Sequence, residues 1–459
     1  MLSMDGGNSV APVADKGRPR VKLPPRLPSI SERFVLVSLA IVVVAVFGPY
    51  TPIAGSRTEQ LAVYGCLVLT LLLSWPRFRV SQDGLVFLVL WSVYIAVALI
   101  GVVTPVKAAP WGPRSLLAGT DNLLRPVAVF VLVTLWLTTR TNREIMLRLA
   151  CQIVIGAMCL NAVVALIESR VDITALLSPF WSSVTQNVGT ATVAGRAAQL
   201  GRMTGILNQP VEAGTLYGIA MLAAIFLWRE RPWRLVSVLI LLAAGGTLTV
   251  SKIFLFVALP IAAWHFTRLK KGRIARFKAV LSAALAFSII AVTGFLPKWL
   301  GTSYLLRLAA PGGNYLWFFS AGRFGSGSTI LPVAKAILLM SPVIGFGLRG
   351  LAVPYDNGWI EALVFAGLIG VAVYSAVLLI LFHAWWARRR HLSKAESMFA
   401  GGLVLLTTGA SLGFPALTGN RVATVLWVLL TIMLLPPPAA VEISVRDPIQ
   451  LSRTTPVTF

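Results

Sequence analysis

The chain has little of the chemistry that most metal and redox sites use. Its 459 residues include three histidines and three cysteines. All three cysteines (Cys66, Cys151 and Cys159) lie within apolar runs, where a thiol behaves as a small hydrophobic group. Their spacing predicts neither a disulfide framework nor a metal site. The Asp-x-Asp motif of many nucleotide-sugar enzymes is also missing.

Charged residues are scarce as well. They make up 12% of the chain and apolar residues 57%, whereas soluble globular domains have about a quarter of their residues charged. A soluble globular domain is therefore excluded, and lipid must surround most of the chain. The composition predicts an all-α, polytopic membrane helix bundle.

Apolar runs of membrane-spanning length recur along the chain, and their number predicts about twelve transmembrane helices. They fall near residues 34–49, 60–75, 85–103, 123–138, 149–167, 211–228, 235–250, 253–267, 279–296, 358–382, 398–414 and 422–435.

The distribution of basic residues predicts the orientation of these helices. Of the 40 Lys and Arg residues, 26 fall in alternate connections and the two tails, which the positive-inside rule assigns to the cytoplasm. The net charge of +24 is then a set of topology signals that also contact anionic membrane lipids, and nucleic acid is not the expected partner.

The same topology divides the chain into three parts. Residues 1–33, with six Lys/Arg and five Pro, are predicted to form a disordered basic cytoplasmic tail. Residues 34–435 form the membrane domain and 436–459 a second cytoplasmic tail. Two external loops, at about 168–210 and 297–357, are long enough to carry function. Within the second loop, residues 329–340 are predicted to form a short helix at the membrane surface.

Positive charge on the external face opposes the orientation rule and indicates an anionic ligand there. Arginine suits phosphate oxygens because its planar fork donates two parallel hydrogen bonds. For a single residue the alternative is a side chain that snorkels to the interface. The external basic residues in the long loops or near helix ends are Arg170, Arg196, Arg202, Lys252, Arg307, Arg323, Arg349 and Arg421.

The external face has carboxylates but no histidine. The topology places His265, His383 and His391 at or near the cytoplasmic side. External chemistry would then use a carboxylate as its base and need no metal or other cofactor. The external acids are Glu59, Asp121, Glu168, Asp172, Glu212, Asp356 and Glu361.

Four short segments on the predicted external face form a pattern in chain order. The first is RMTGILNQPVEAG from Arg202, and the second is LTVSK, which ends at Lys252. The third combines Gly322-Arg323 with SPVIGFGLRG from Ser341. The fourth, DNGWIEALVFAGLIG, begins at Asp356.

These segments resemble the signature elements of the O-antigen ligase and polysaccharide polymerase superfamily, over roughly residues 200–370. The resemblance implies a GT-C-like glycosyltransferase with short interfacial helices in its large loop, in the inner membrane of a bacterium. Its donor would be a polyprenyl-diphosphate-linked oligosaccharide. An acceptor hydroxyl attacks the anomeric carbon with inversion, and the lipid diphosphate leaves. A polysaccharide copolymerase that regulates chain length is the partner that the family usually has.

The resemblance also implies roles for individual residues. Asp356, Arg323 and Glu212 are the candidate catalytic residues. The candidates for binding the diphosphate are Arg202, Lys252, Arg349 and Asn357. Because charge develops on the leaving group, cations placed beforehand near it stabilise the transition state.

Two positions depart from the family pattern. Lys252 replaces the usual arginine, which keeps the charge but loses the bidentate fork. Asp356 stands where ligases have histidine, which favours a polymerase over a ligase. Asp356 could be the base, could orient Arg323 or Arg349, or could cap the helix that follows. Glu212, at the start of another span, has the same ambiguity.

Other functions remain open at this stage. A lipid-linked oligosaccharide flippase would have a similar helix count, but charged residues inside its spans would be expected. A sugar or drug transporter would show two related halves. A non-catalytic scaffold of a polysaccharide-export complex would explain the topology but not the motif order.

Overall fold

The structure is a computed structural model. It describes residues 32–51, 57–73, 79–103, 116–138, 141–181, 193–269, 330–350 and 357–437. Arg349 is described by its backbone alone. The two candidate catalytic residues Arg323 and Asp356, and the predicted tails apart from their inner edges, lie outside the described residues.

The described part of the chain is helical and contains no β-strand beyond an isolated bridge between Tyr50 and Arg57. Short helical turns lie at Ser178–Phe180 and Leu348–Gly350, and a π-helical turn at Phe254–Ala258 leads into α10. The α-helices are α1 Glu32–Ala45, α2 Thr58–Leu73, α3 Gln82–Val103, α4 Leu116–Thr138, α5 Arg143–Glu168, α6 Thr174–Leu177, α7 Val193–Gln199, α8 Pro210–Trp228, α9 Pro232–Leu248, α10 Leu259–Thr267, α11 Ile330–Met340, α12 Gly358–Arg388, α13 Lys394–Ser411 and α14 Asn420–Leu434.

Local signals in the sequence define several helix starts. The Asn142 side chain accepts a hydrogen bond from the Glu144 amide at the start of α5. Ser393 and Glu396 form a reciprocal capping box at the start of α13. Helices α8 and α9 begin with Pro210 and Pro232, at the position where a missing N–H has no cost.

Within the described ranges, five helices are long and apolar enough to cross a membrane. The fold class, an all-helical protein with apolar helices that suit a membrane, is thereby confirmed. Every predicted apolar run except 279–296, which lies outside the described residues, coincides with a helix. The count of twelve spans stays a prediction. The five are Gln82–Val102, Gly119–Thr138, Arg143–Glu168, Pro210–Trp228 and Gly358–Arg388.

Helices α8 and α14 form the centre of the bundle. All residues of α8 from Thr215 to Ile225 are buried, and every described side chain of α14 from Arg421 to Leu434 is buried as well. A helix that is buried on all sides belongs to the core of a bundle. Aromatic rings pack between α14 and α3. The ring centroid of Trp427 lies 4.5 Å from that of Phe87 and 6.1 Å from that of Trp91.

The short helix predicted at 329–340 is present as α11. Its Ile337 packs with Phe346, Leu363 and Val364, so this helix lies against the first part of α12. Leu339 on the other side is 74% exposed within the protein. A surface helix with an exposed apolar face fits a position at a membrane interface, which remains a prediction.

Candidate functional site

The first two motif segments meet at one end of the bundle. The Met203 amide donates to the Leu248 carbonyl at 2.9 Å. The Arg202 guanidinium donates to the carbonyls of Thr249 at 3.2 Å and Val250 at 3.5 Å. Arg202 therefore holds the turn that carries Lys252, and two of the candidate diphosphate-binding residues lie in one local unit.

This turn is strained. Val250 has a φ of 46°, and it is the only non-glycine residue with positive φ among the described ranges. A β-branched side chain makes this conformation costly, and such outliers cluster at active sites and ligand clamps. A π-helical turn, another feature that is frequent at functional sites, begins two residues after Lys252.

The loop that precedes α8 is held from the side of α5. The Asn161 side chain accepts from the Ile206 amide at 2.9 Å and donates to the Thr204 carbonyl at 3.2 Å. Glu168 accepts from the Gly205 amide at 2.8 Å. These bonds fix the backbone between Arg202 and Glu212.

Glu212 lies in the first turn of α8 and is buried. Its Oε1 has no hydrogen-bond partner among the described residues. The charged groups close enough to act on it are Arg421, Glu59 and Arg57. Two residues further on, a Cβ at Gly214 would lie 2.5 Å from the Ser251 hydroxyl, so the start of α8 packs directly on the Lys252 turn.

Arg421 joins three separate segments at the same end. Its Nη1 donates to the Ile206 carbonyl at 3.0 Å. Its Nη2 donates to the carbonyls of Gly48 at 3.0 Å and Phe180 at 3.1 Å. Only 1% of its surface is exposed, so this arginine is a buried residue whose hydrogen bonds connect α14 to three loops. The region that contains Arg57, Glu212, Lys252, Asn357 and Arg421 is called the polar end below.

Tyr50 lies near both Arg57 and Arg421 at the polar end. The Arg421 guanidinium is 5.9 Å from the centroid of its ring, and Arg57 also acts on it electrostatically. Burial raises the pKa of the Tyr50 hydroxyl above its ordinary value, although both arginines oppose that shift. The phenol therefore stays protonated and can donate a hydrogen bond.

A buried charge network lies next to this group. Glu59 forms ion pairs with two arginines. Its Oε1 lies 2.8 Å from Arg57 Nη1 and 3.3 Å from Arg125 Nη1. Asp121 pairs with both arginines and accepts hydrogen bonds from Gln60 and Tyr64. Sequence reasoning missed this network, although Arg125 within a predicted span was a signal that could have identified it.

The fourth motif segment is anchored to the loop between α13 and α14. The Asn357 side chain caps α12 by accepting from the amides of Trp359 at 2.9 Å and Ile360 at 3.1 Å. Its Nδ2 donates to the Leu412 carbonyl at 3.0 Å. Glu361, one turn into the helix, accepts a hydrogen bond from the Thr418 hydroxyl. The hydrogen-bonding groups of Asn357 thus already have protein partners.

The third and fourth segments interlock through their glycines. Helix α12 is interrupted at Ala366 and Gly367, and Gly367 has a φ of 59°. The Leu368 amide beyond the break donates to the Pro342 carbonyl at 2.8 Å, and the Phe346 amide donates to the Val364 carbonyl at 2.8 Å. The backbone of 342–346 thus replaces hydrogen bonds that the break removes from the helix.

The structure places four of the seven sequence-predicted site residues with their side chains. Arg202, Lys252 and Glu212 come together in one unit, and Asn357 lies in a second unit at the same end. Arg349 follows the interlocking glycine segment, and Arg323 and Asp356 lie outside the described residues. In the described part of the chain, no three His, Cys, Asp or Glu side chains are grouped so that they could hold a metal ion.

Comparison with known proteins yields no match to a protein-family model and none to a curated protein sequence.

Proposed function

We propose that this chain is a membrane glycosyltransferase that polymerises polyprenyl-diphosphate-linked oligosaccharide repeat units into a surface or exported polysaccharide. The reaction would take place on the external face of a bacterial inner membrane. A single observation carries the proposal: the first motif segment contacts the second, the described part of the third interlocks with the fourth, and both pairs belong to the same end of the bundle.

The loop between α13 and α14, together with the first turn of α14, links these two pairs. On one side, Arg421 at the start of α14 binds the Ile206 carbonyl within the first segment. On the other, Leu412 and Thr418 bind Asn357 and Glu361 in the fourth segment. The predicted topology requires only that the segments share one face of the membrane. Bonds from a single stretch of chain to both pairs go beyond that requirement, and they support treating the four segments as one site.

The residues suggest a division of labour. Lys252, held on a strained turn by Arg202, would bind the donor diphosphate together with Arg323. A carboxylate, Glu212 or Asp356, would remove the proton from the acceptor hydroxyl as that oxygen attacks the anomeric carbon. The bond to the diphosphate breaks with inversion, and the cations stabilise the charge that the leaving group gains.

The orientation of the protein is part of the proposal. Contacts at the opposite end pair residues that the positive-inside rule assigns to the cytoplasm, such as Arg143 with Glu396 and His383 with Asp83. This pairing agrees with the predicted multi-pass topology, which requires these four residues to share one end of the bundle. That this end and both termini face the cytoplasm is proposed from the positive-inside rule. A copolymerase that controls chain length would be the protein partner.

A lipid-linked oligosaccharide flippase is the second candidate. Charged residues inside the spans are expected of a flippase, and Arg125 is fully buried within α4 and paired with Glu59. The break of α12 at Gly367 also fits, since transporters often build binding sites from discontinuous helices. Ligase-type transfer to another acceptor is a third outcome that the same experiment resolves.

The test is complementation of a deletion strain, with the lipid-linked and polymeric saccharide separated by size. The variants are Glu212→Gln, Arg323→Ala and Asp356→Ala at matched membrane abundance. Glu230→Gln is the control, because its side chain is 83% exposed and belongs to the opposite end. We expect the control and the wild type to restore long chains. The three variants should leave single repeat units on the lipid carrier.

The outcomes separate the candidate functions. Polymer of normal length that is not attached to its anchor would indicate a ligase. Repeat units that stay on the cytoplasmic side of the membrane in the deletion strain would indicate a flippase. Long chains from all three variants would show that the site assignment is wrong.

A further inference from the structure

A cavity of about 850 Å³ lies at the end of the bundle opposite the polar end. It is bounded by the last turns of α8 and α10 and the first turns of α9 and α13. None of its residues belongs to the candidate glycosyltransferase site. The cavity therefore needs an explanation of its own.

Its rim is basic. Arg229, Arg268 and Lys394 come from three different connections and all line the cavity. Among the described residues that line the cavity, Glu230 is the one acid. Its carboxylate lies 3.6 Å from Arg229 Nε, and the side chains of Glu230 and Arg229 are 83% and 43% exposed. An exposed pair of this length binds weakly, so the rim keeps an excess of positive charge. Arg268 is held over the Trp264 ring at 4.2 Å, which orients its guanidinium beside the cavity.

Its wall is apolar. Phe226 of α8 and Phe399 of α13 stack with their ring centroids 5.0 Å apart and an angle of 11° between their planes. Leu222 lies one helical turn before Phe226 in α8, and Met398 adds a flexible side chain next to Phe399 in α13. A cavity with this wall favours hydrocarbon over water.

We infer that the cavity binds one anionic phospholipid, with its phosphate among Arg229, Arg268 and Lys394 and part of an acyl chain against Phe226 and Phe399. Both chemistries are needed for this conclusion. A free phosphate would leave the apolar wall unused, and a neutral lipid would leave the excess positive charge unpaired. Basic pockets between membrane helices are a known way to recognise anionic head groups.

The alternative is that these three residues are topology signals alone. In that case every basic residue at this end of the bundle would attract anionic lipid to the same extent. Arg79, Arg148 and Arg390 supply the comparison, because they are exposed residues of the corresponding connections that do not line the cavity.

The test measures lipid retention by native mass spectrometry of the full chain. The protein is extracted into detergent, stripped of lipid and titrated with phosphatidylglycerol or phosphatidylethanolamine. The cavity variant carries Arg229→Gln, Arg268→Gln and Lys394→Gln, and the control carries Arg79→Gln, Arg148→Gln and Arg390→Gln. A second cavity variant, Ala395→Trp, keeps every charge but fills the space.

We expect one tightly bound phosphatidylglycerol in the wild type and the control. Its affinity should fall on the order of ten- to a hundredfold in the triple cavity variant, since each basic residue near a membrane surface contributes roughly a few-fold to tenfold. Ala395→Trp should lose it as well. Monodisperse elution and an unchanged melting temperature show that each variant is folded.

Four results would overturn the inference. They are equal retention of phosphatidylethanolamine, equal loss in the control, full retention in both cavity variants, and displacement of the lipid by millimolar inorganic phosphate alone. Polymer formation is measured on the same variants, so that loss of lipid with intact polymer separates this site from the proposed glycosyltransferase site.

Discussion

Glu59 and Arg125 form a buried ion pair between α2 and α4. Glu59 Oε1 lies 3.3 Å from Arg125 Nη1, and each side chain is 1% exposed. The same Glu59 oxygen is 2.8 Å from Arg57. Charges removed from water in this way are costly unless they are paired, so each member of the network depends on the others.

Replacing Arg125 with leucine should strongly destabilise the protein. The change leaves Glu59 and Asp121 with a single arginine between them in a buried environment. We expect the free energy of unfolding to fall by about 3–5 kcal/mol. Thermal unfolding in detergent and the abundance of the protein in membranes measure the effect.

The double variant Glu59→Gln with Arg125→Gln tests the physical reason. Because it removes one charge of each sign, it should be more stable than the sum of the single changes predicts. Arg148→Gln is the matched control, since Arg148 pairs with Glu144 on the surface and should contribute less than about 1 kcal/mol. Additive single effects would show that the two charges do not interact.

Gly367 should not tolerate any side chain. Its φ of 59° and ψ of −147° lie in a region that only glycine adopts readily. A Cβ there would also lie within 2.6 Å of the Pro342 carbonyl oxygen. We expect Gly367→Ala to reduce folded protein several-fold, measured as the monodisperse fraction after extraction.

Gly156→Ala is the control for this change. Gly156 lies within α5, and a Cβ at that position would meet no atom within 4 Å. Alanine should raise stability there slightly, by about 0.5–1 kcal/mol, because it restricts the unfolded chain. A Gly367→Ala variant as stable as Gly156→Ala would contradict the role assigned to the break in α12.

The break in α12 also shows how far the sequence leads. Apolar runs predict the helices well, because each run must be helical wherever lipid surrounds it. The motif resemblance marked both glycine segments, but it did not reveal that 342–346 supplies hydrogen bonds to the broken helix. That relationship depends on how distant backbones approach each other, which residue types alone do not encode.

The candidate site was predicted in part for the same reason. Lys252 and Glu212 could be selected because both belong to segments that resemble the family motifs on the predicted external face. The role of Arg421 as a tie among three loops could not be foreseen, because its partners are backbone carbonyls that carry no sequence signal. The functions of Arg323 and Asp356 stay predictions from the resemblance.

Asn357 offers a test of capping against substrate binding. Asn357→Ala removes both the cap of α12 and the bond to the Leu412 carbonyl, at a cost of about 1–3 kcal/mol. Asn357→Ser keeps a capping oxygen and should cost less. If Asn357 also binds the diphosphate, the serine variant will lose polymer formation at nearly wild-type stability.

Ser393→Ala is the control for the Asn357 variants. It removes the capping box of α13 at the opposite end of the bundle, with an expected cost of about 1 kcal/mol. Polymer formation should be intact in this variant. Equal loss of polymer in Ser393→Ala and Asn357→Ser would show that the assay responds to stability and that Asn357 has no separate role.

Arg421→Lys should loosen the polar end even though it keeps the charge. The guanidinium reaches the carbonyls of Gly48, Phe180 and Ile206 from two nitrogen atoms, a geometry that a single ammonium nitrogen cannot reproduce. These bonds are partly buried, and each carbonyl left without a donor costs up to about 1–3 kcal/mol. We therefore expect a lower melting temperature and faster proteolysis of the loops around Gly48 and Phe180.

Arg170→Lys is the control. Arg170 is an exposed arginine on the same side, and its replacement should change neither the melting temperature nor the rate of proteolysis. An Arg421→Lys variant with wild-type stability but no polymer would instead place this arginine among the residues that bind the substrate.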